Sequence, residues 1–208
     1  MSLPTPYYDE DGITIFCGDN RKILPLLDEF DLLLTDPPYG LGSKLHDGGT
    51  WSTNPIYDAM LEWDTKPSDH WFLEQAIAKA AAAIIWGGNY YRLAPSRCWL
   101  NWQKINSVAT MADVEFAWTN LDANSKSFRE IVNADGKRVH PTQKPLSLIG
   151  WCLSFAPEAK TVLDPWMGSG TTLVAAKLRG LRAVGIEINE EYCKAAVQRL
   201  AQGVLITA

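Results

Sequence analysis

Thr161-Val-Leu-Asp-Pro-Trp-Met-Gly-Ser-Gly-Thr-Thr172 reads as a short buried strand, a tight glycine turn and the opening of a helix. Gly168 and Gly170 let the backbone approach a ligand closely, and a helix beginning near Ser169 offers free N–H groups to an anion. Beyond that helix, Arg182-Ala-Val-Gly-Ile-Glu-Ile188 is a second strand with an acid near its end. Glu187 lies 23 residues after Asp164, close to the roughly 20-residue offset at which a carboxylate grips ribose hydroxyls in a βαβ unit. Loop, helix, strand and acid in this order point to a nucleoside.

Two phosphate-binding readings fail. A P-loop needs lysine after its final glycine, and Thr171 follows Gly170. A dinucleotide loop needs three spaced glycines after its first strand, where this chain has Asp164-Pro165. An acid at that strand end suits a cationic amine such as that of a methionine moiety, which favours S-adenosylmethionine over NAD.

Towards the N-terminus, Asp31-Leu-Leu-Leu-Thr-Asp-Pro-Pro-Tyr-Gly40 is an apolar strand running into a stiff turn. Proline cannot donate to a sheet ladder, so Pro37 and Pro38 end the strand at its carboxyl edge. Ligands of open α/β sheets bind along that edge. The turn fixes a carboxylate (Asp36), the Pro37 carbonyl and an aromatic face (Tyr39). These are the parts an aromatic amine needs: two acceptors for its N–H bonds and a stacking surface.

The remaining pattern is α/β with a mainly parallel sheet. Strands are expected at Ile13–Cys17, Asp31–Thr35, Ala83–Trp86, Arg97–Gln103, Val114–Thr119, Thr161–Asp164 and Arg182–Ile188. Helices are expected at Asn20–Leu27, Ser68–Ala82, Pro145–Phe155, Ser169–Leu178 and Asn189–Ala201, with Asn189 an N-cap followed by two glutamates. One domain over 1–208 is expected. Gly40–Pro67 is rich in Gly, Ser, Thr, Asp and Pro and reads as a mobile loop; Asn120–His140 is similar, with a short strand open at Ser127–Val132.

Net charge is −5 with a pI near 5.2, unlike the basic balance common in nucleic-acid binders. Distribution outweighs the sum, and Lys126, Arg129, Lys137, Arg138 and Lys144 gather between Ser125 and Lys144. Met1–Tyr8 lacks a basic n-region and an apolar h-region, so no signal peptide is expected, and no apolar run reaches the roughly 20 residues of a membrane span. Cys17, Cys98, Cys152 and Cys193 stand apart, which suggests buried thiols in a reducing cytosol and no zinc site.

Taken together, the quoted motifs resemble the β class of DNA amino-methyltransferases (adenine-N6/cytosine-N4), in which the catalytic motif precedes the cofactor loop. The resemblance covers nearly the whole chain. It implies a Rossmann-like methyltransferase fold with a mostly parallel seven-stranded sheet ordered 3-2-1-4-5-7-6, helices on both faces and the last strand antiparallel, numbered from the cofactor loop. Asp36-Pro37-Pro38-Tyr39 is the catalytic motif by this likeness. Gly18-Asp19-Asn20 resembles the family's Gly-Asp element, which puts Asp19 near the cofactor adenine. His140-Pro-Thr-Gln-Lys-Pro145 matches the segment before the cofactor loop, placing His140, Thr142 and Lys144 near the methionine end. Asp164, Pro165, Trp166, Gly168, Ser169, Gly170, Thr171 and Thr172 match the cofactor motif, with Trp166 where phenylalanine is usual. Glu187 and Asn189 complete the cofactor set. Ile85–Tyr90 and Glu115–Trp118 resemble phage-type and prophage-type members.

The likeness implies S-adenosylmethionine as methyl donor, no metal, and a double-stranded DNA substrate whose target base is flipped out. It also points to a homodimer and to the cytoplasm of a bacterial or phage-infected cell. Lys44, His46, Lys126, Arg129, Lys137 and Arg138 are the candidate DNA contacts. Aspartate at position 36 favours adenine N6; cytosine N4, where serine is more frequent, stays open. So do another amine substrate and a non-catalytic nucleic-acid-binding subunit. Larger members insert a target-recognition region between Thr119 and His140, where only about 20 residues stand here. No endonuclease motif is visible, as expected of a stand-alone enzyme.

Overall fold

A computed structural model describes residues 2–40, 68–107, 112–132 and 143–202. Among them one sheet carries nine strands, in the order β1-β2-β9-β8-β3-β4-β6-β5-β7. They are β1 (Tyr8–Glu10), β2 (Ile13–Cys17), β3 (Phe30–Thr35), β4 (Ala80–Trp86), β5 (Trp99–Lys104), β6 (Val114–Thr119), β7 (Lys126–Glu130), β8 (Thr161–Asp164) and β9 (Arg182–Glu187). The inner seven have the expected order and one antiparallel strand: β6 runs against both β4 and β5, and the other pairings among the seven are parallel. The expected count of seven is corrected to nine. β1 pairs antiparallel with β2 at one edge, and β7 lies parallel to β5 at the other.

Both additions are polar segments, Tyr-Asp-Glu and Lys-Ser-Phe-Arg-Glu. An edge strand buries little side-chain surface, so β1 shows no apolar signal of its own, and β7 falls largely within the short strand left open at Ser127–Val132.

Helices α1 (Asn20–Ile23) and α2 (His70–Ala78) cover one face; α3 (Leu146–Leu153), α4 (Thr171–Leu178) and α5 (Glu190–Ala201) cover the other. Helix α1 stops four residues short of expectation because Pro25 enters a 3-10 turn over Leu24–Leu26. Leu24 keeps α geometry, but Pro25 lacks the N–H that would continue the helix. Helix α2 ends at Ala78, where Ala82 was expected. The alanines from Ala80 join β4, paired parallel with β3 from Phe30 opposite Ala80 onward. Helix α4 starts at Thr171, two residues after the expected Ser169, because Gly170 takes a left-handed turn at φ 77°. A Cβ there would sit 2.7 Å from the Cβ of Ala196.

Three cysteines are buried as expected; Cys17, at the end of β2, is exposed. Lys44, His46, Lys137, Arg138, His140 and Thr142 lie outside the described residues, as does most of the 40–67 loop. No helix among the described residues is long and apolar enough to cross a membrane.

Candidate active site

Strand order reverses between β8 and β3: β9 and β2 lie to one side of them, β4 and its neighbours to the other. Such a switch point opens a crevice outside the carboxyl ends of the strands. A cavity of about 600 Å³ is found there, and Asp36 after β3, Asp164 at the end of β8 and Glu187 at the end of β9 all line it. Three motifs separated by up to about 150 residues of chain are thus brought to one space by parallel strand order.

At the Glu187 end, the carboxylate accepts from Asn189 N at 2.8 Å and Gly168 N at 3.1 Å. Burial raises its pKa against these two donors. Asn189 caps α5 by accepting from Glu191 N at 2.9 Å and also lines the cavity. Asp19 lines it too, but its carboxylate is engaged: it caps α1 through Arg21 N and pairs with the Arg21 guanidinium at 3.1 Å. Pro165 does not face the cavity; its carbonyl accepts from Asn20 Nδ2 at 2.8 Å, which ties the cofactor-loop candidate to α1.

Asp164 is only 3 % exposed. It accepts from Thr35 Oγ1 at 2.7 Å, from Thr172, and from Trp166 N at 3.3 Å. Burial pushes its carboxyl up to about 6 in spite of these donors. A buried carboxylate that its neighbours do not neutralise is suited to a cation. Trp166 lines the cavity and meets Phe72 edge-on at 5.5 Å. Gly168, Ser169, Thr171 and Thr172 also line it, and Gly170 does not. Ser169 and Thr171 are held from α5 by Arg199, whose Nη1 donates to Ser169 O at 2.7 Å and Thr171 Oγ1 at 2.9 Å.

At the other end, both oxygens of Asp36 have donors. The Tyr39 hydroxyl donates to Oδ1, and Lys144 Nζ donates to Oδ2 at 2.5 Å. Lys144 was expected beside the cofactor; it lines the cavity, but its ammonium lies between Asp36 and Glu115, with Glu115 Oε2 at 3.1 Å. Its side chain is 6 % exposed, so it is no part of a basic surface strip. Burial raises the Asp36 carboxyl; Lys144 opposes this and Glu115 adds to it. Burial and the Asp36 charge raise Tyr39 well above its ordinary range.

The Tyr39 ring stacks on Tyr90 with centroids 4.9 Å apart and lies against Gly87. The Pro38 carbonyl accepts from the Tyr91 hydroxyl and from Ser68 N. Tyr39 and buried Pro37 stand behind the cavity wall; Asp36 and Pro38 form it. Lys126 and Arg129 are exposed on edge strand β7. That strand runs parallel to β5, so its carboxyl end reaches the same edge of the sheet as the cavity.

Sequence reasoning missed Glu115 and Lys104. The signal was register: Glu115 shares a strand face with Ala117 and Thr119, both buried, so an acid there points into the core side.

Residues 64–198 match the family model described as DNA methylase, N6_N4_Mtase. The chain is 26% identical to the type II methyltransferase M2.DpnII of Streptococcus pneumoniae, over 95% of this chain and 93% of that protein. It is 23% identical to the type II methyltransferase M.ScaI of Streptomyces caespitosus, over 96% of this chain and 84% of that one. Among solved structures, the M1.HpyAVI–SAM complex superposes with a TM-score of 0.63 at 25% identity, covering 90% of this chain and 100% of the other.

Proposed function

The chain belongs to the N6/N4 DNA methylase family, and from that premise we propose that it methylates N6 of adenine in double-stranded DNA, using S-adenosylmethionine and the Asp36-Pro37-Pro38-Tyr39 turn. The observation that carries this reading is Asp36 on the wall of the same cavity as Asp164 and Glu187. Aspartate at the head of the motif favours adenine over cytosine.

The donor set fits the methyl donor. Glu187 accepts from ribose hydroxyls with lone pairs its backbone donors leave open. Asp164 faces the ammonium, with Trp166 beside the cavity as an apolar wall. S-adenosylmethionine supplies a methyl group on a sulfonium, an excellent leaving group.

The chain's own task is therefore alignment rather than strong base catalysis. Flipping the target adenine out of the duplex costs a few kcal/mol. Tyr39, braced by Tyr90 just behind the cavity wall, is assigned the stacking surface, which it offers the base once the base enters past Asp36 and Pro38. Asp36 and the Pro37 carbonyl accept the amino protons and orient the nitrogen lone pair towards the methyl group. Pro38 contributes geometry, since its carbonyl is already taken by Tyr91 and Ser68.

Asp36→Ala is expected to abolish methyl transfer to unmethylated duplex DNA while the affinity for S-adenosylmethionine stays within about twofold, since in this reading Asp36 meets the substrate amine and not the cofactor. Normal turnover by the variant would overturn the assignment. Mass spectrometry of digested product DNA should yield N6-methyladenine; N4-methylcytosine would overturn the choice of base.

A further inference from the structure

Four charged side chains meet at the Asp36 end of the cavity: Asp36, Lys144, Glu115 and Lys104. Their meeting follows from sheet register. Leu34 of β3 pairs with Ile84 of β4, Trp86 with Ala117 of β6, and Glu115 of β6 with Trp102 of β5. Paired residues share a face, so Leu34, Trp86, Ala117, Glu115 and Trp102 line one side of the sheet. Asp36 and Lys104 continue that parity at the ends of β3 and β5. Because β6 is antiparallel, its beginning lies at the edge where β3 and β5 finish, which delivers Glu115 beside them. Helix α3 packs on this face through Leu148, Ile149 and Cys152, and Lys144 enters from the segment just before it.

The result is an alternating chain of charges. Asp36 meets Lys144 at 2.5 Å, Lys144 meets Glu115 at 3.1 Å, and Glu115 meets Lys104 at 2.5 Å. Both lysine side chains are 6 % exposed. Lys144 Nζ also stands 5.6 Å from the centre of the Trp86 ring, which screens it from solvent on that side. Breaking a buried pair by removing one partner leaves the other charge uncompensated.

Resting on the methyltransferase reading above, we propose that Lys144 and Glu115 are positioning residues for Asp36. The Lys144 ammonium keeps Asp36 ionised as an acceptor for the substrate amine, and Glu115, itself held by Lys104, sets how much of that positive charge Asp36 receives. Lys144 is thereby assigned to the substrate end of the cavity rather than to the cofactor. Burial still leaves the Asp36 carboxyl raised, and Lys144 is the largest influence holding it down; the directions of its two partners agree with the geometry. Against the cost of burial, Asp36 and Glu115 hold the Lys144 ammonium above its ordinary range. Burial alone would raise Glu115, yet Lys144 and Lys104 bring it down to about 2. Among the described residues, the other titratable groups facing this cluster are Tyr39, Tyr91, Asp164 and Cys152.

The test is the pH dependence, from pH 4.5 to 9, of kcat/KM for unmethylated duplex DNA of mixed sequence, with radiolabelled S-adenosylmethionine saturating. Lys144→Met should move the acid limb upward by about 1–3 pH units, because an opposite charge that close lowers a carboxyl by that amount. Adding Glu115→Gln to it should bring the limb part of the way back, since a like charge has been removed. Lys144→Arg should keep the limb at its wild-type position, and cofactor affinity should change less than threefold in all three. If Lys144→Met does not fold, judged by circular dichroism and thermal unfolding, Lys144→Gln carries the same expectation. An unmoved limb with cofactor affinity weakened tenfold would overturn the proposal and return Lys144 to the cofactor. A limb displaced the same way by the lysine and glutamate changes would also overturn it. Failure of the wild-type protein to methylate DNA would strike the parent reading itself, and this inference with it.

Discussion

At position 87 the chain has no room for a side chain. Gly87 has φ 67°, and a Cβ there would stand 1.9 Å from Tyr39 Cε1. The left-handed conformation alone costs a non-glycine residue about 1–2 kcal/mol. The clash adds a displacement of Tyr39, and with it of the Asp36 carboxylate that the Tyr39 hydroxyl holds. Gly87→Ala should therefore reduce single-turnover methyl transfer by about 100-fold, the penalty of an ångström-scale misplacement. Cofactor affinity, read by titration, should change little, because Gly87 does not line the cavity. Turnover within twofold of wild type would show that Tyr39 position does not matter to the chemistry.

Among the elements, α5 braces the loop that carries the cofactor-binding candidates. Its Arg199 spans back to the loop between β8 and α4, donating through Nη1 to Ser169 O at 2.7 Å, Ser169 Oγ at 3.1 Å and Thr171 Oγ1 at 2.9 Å. A loop that opens on Gly168 and ends on left-handed Gly170 has little stiffness of its own. Arg199 supplies it from outside. Hydrogen bonds from a charged donor contribute about 1.5–3 kcal/mol each when partly buried, and part of that serves loop order. Arg199→Ala is expected to raise KM for S-adenosylmethionine about tenfold or more, with kcat at saturating cofactor within threefold. An equal loss in kcat would mean that Arg199 orders the substrate end as well. The same element carries its own start signal, since Asn189 caps it and Glu190 and Glu191 occupy its first turn.

For the whole molecule, the switch point concentrates carboxylates where the fold would prefer none. Asp164 is buried at the centre of the sheet with its carboxyl raised to about 6 from 3.8. A carboxyl whose folded pKa lies above its unfolded value binds more protons in the native state. Stability is then greatest below about pH 4, falls as pH rises towards about 6, and is level above that. The shift corresponds to about 2–3 kcal/mol at neutral pH. Asp164→Asn should raise the Tm of the cofactor-free protein at pH 7 and leave it nearly unchanged at pH 4. It should also weaken S-adenosylmethionine binding, where the missing charge is needed. A lower Tm at pH 7 would show that the hydrogen bonds from Thr35 and Thr172 outweigh the burial of the charge. The cavity thus exchanges stability for a site that accepts a cation, and the exchange is located at the one place where strand order reverses.

The sequence by itself determined the inner sheet and three of the cavity-lining acids, Asp36, Asp164 and Glu187. Val162-Leu163, Leu32-Leu33-Leu34 and Ile84-Ile85 announce strands because each is apolar enough to be buried on both faces. Asp36, Asp164 and Glu187 announce themselves because an acid at the end of such a run has no structural reason to be there. Only the tertiary structure decided the rest. Ala80–Ala82 have helical propensity and become strand because β3 offers the segment hydrogen-bond partners. β1 exists through its neighbour alone. Lys144 looked like part of a basic strip or a cofactor residue, and it is a buried counter-charge to Asp36 across 108 residues of chain. Coulomb interactions depend on distance in space and on local burial, and linear sequence records neither.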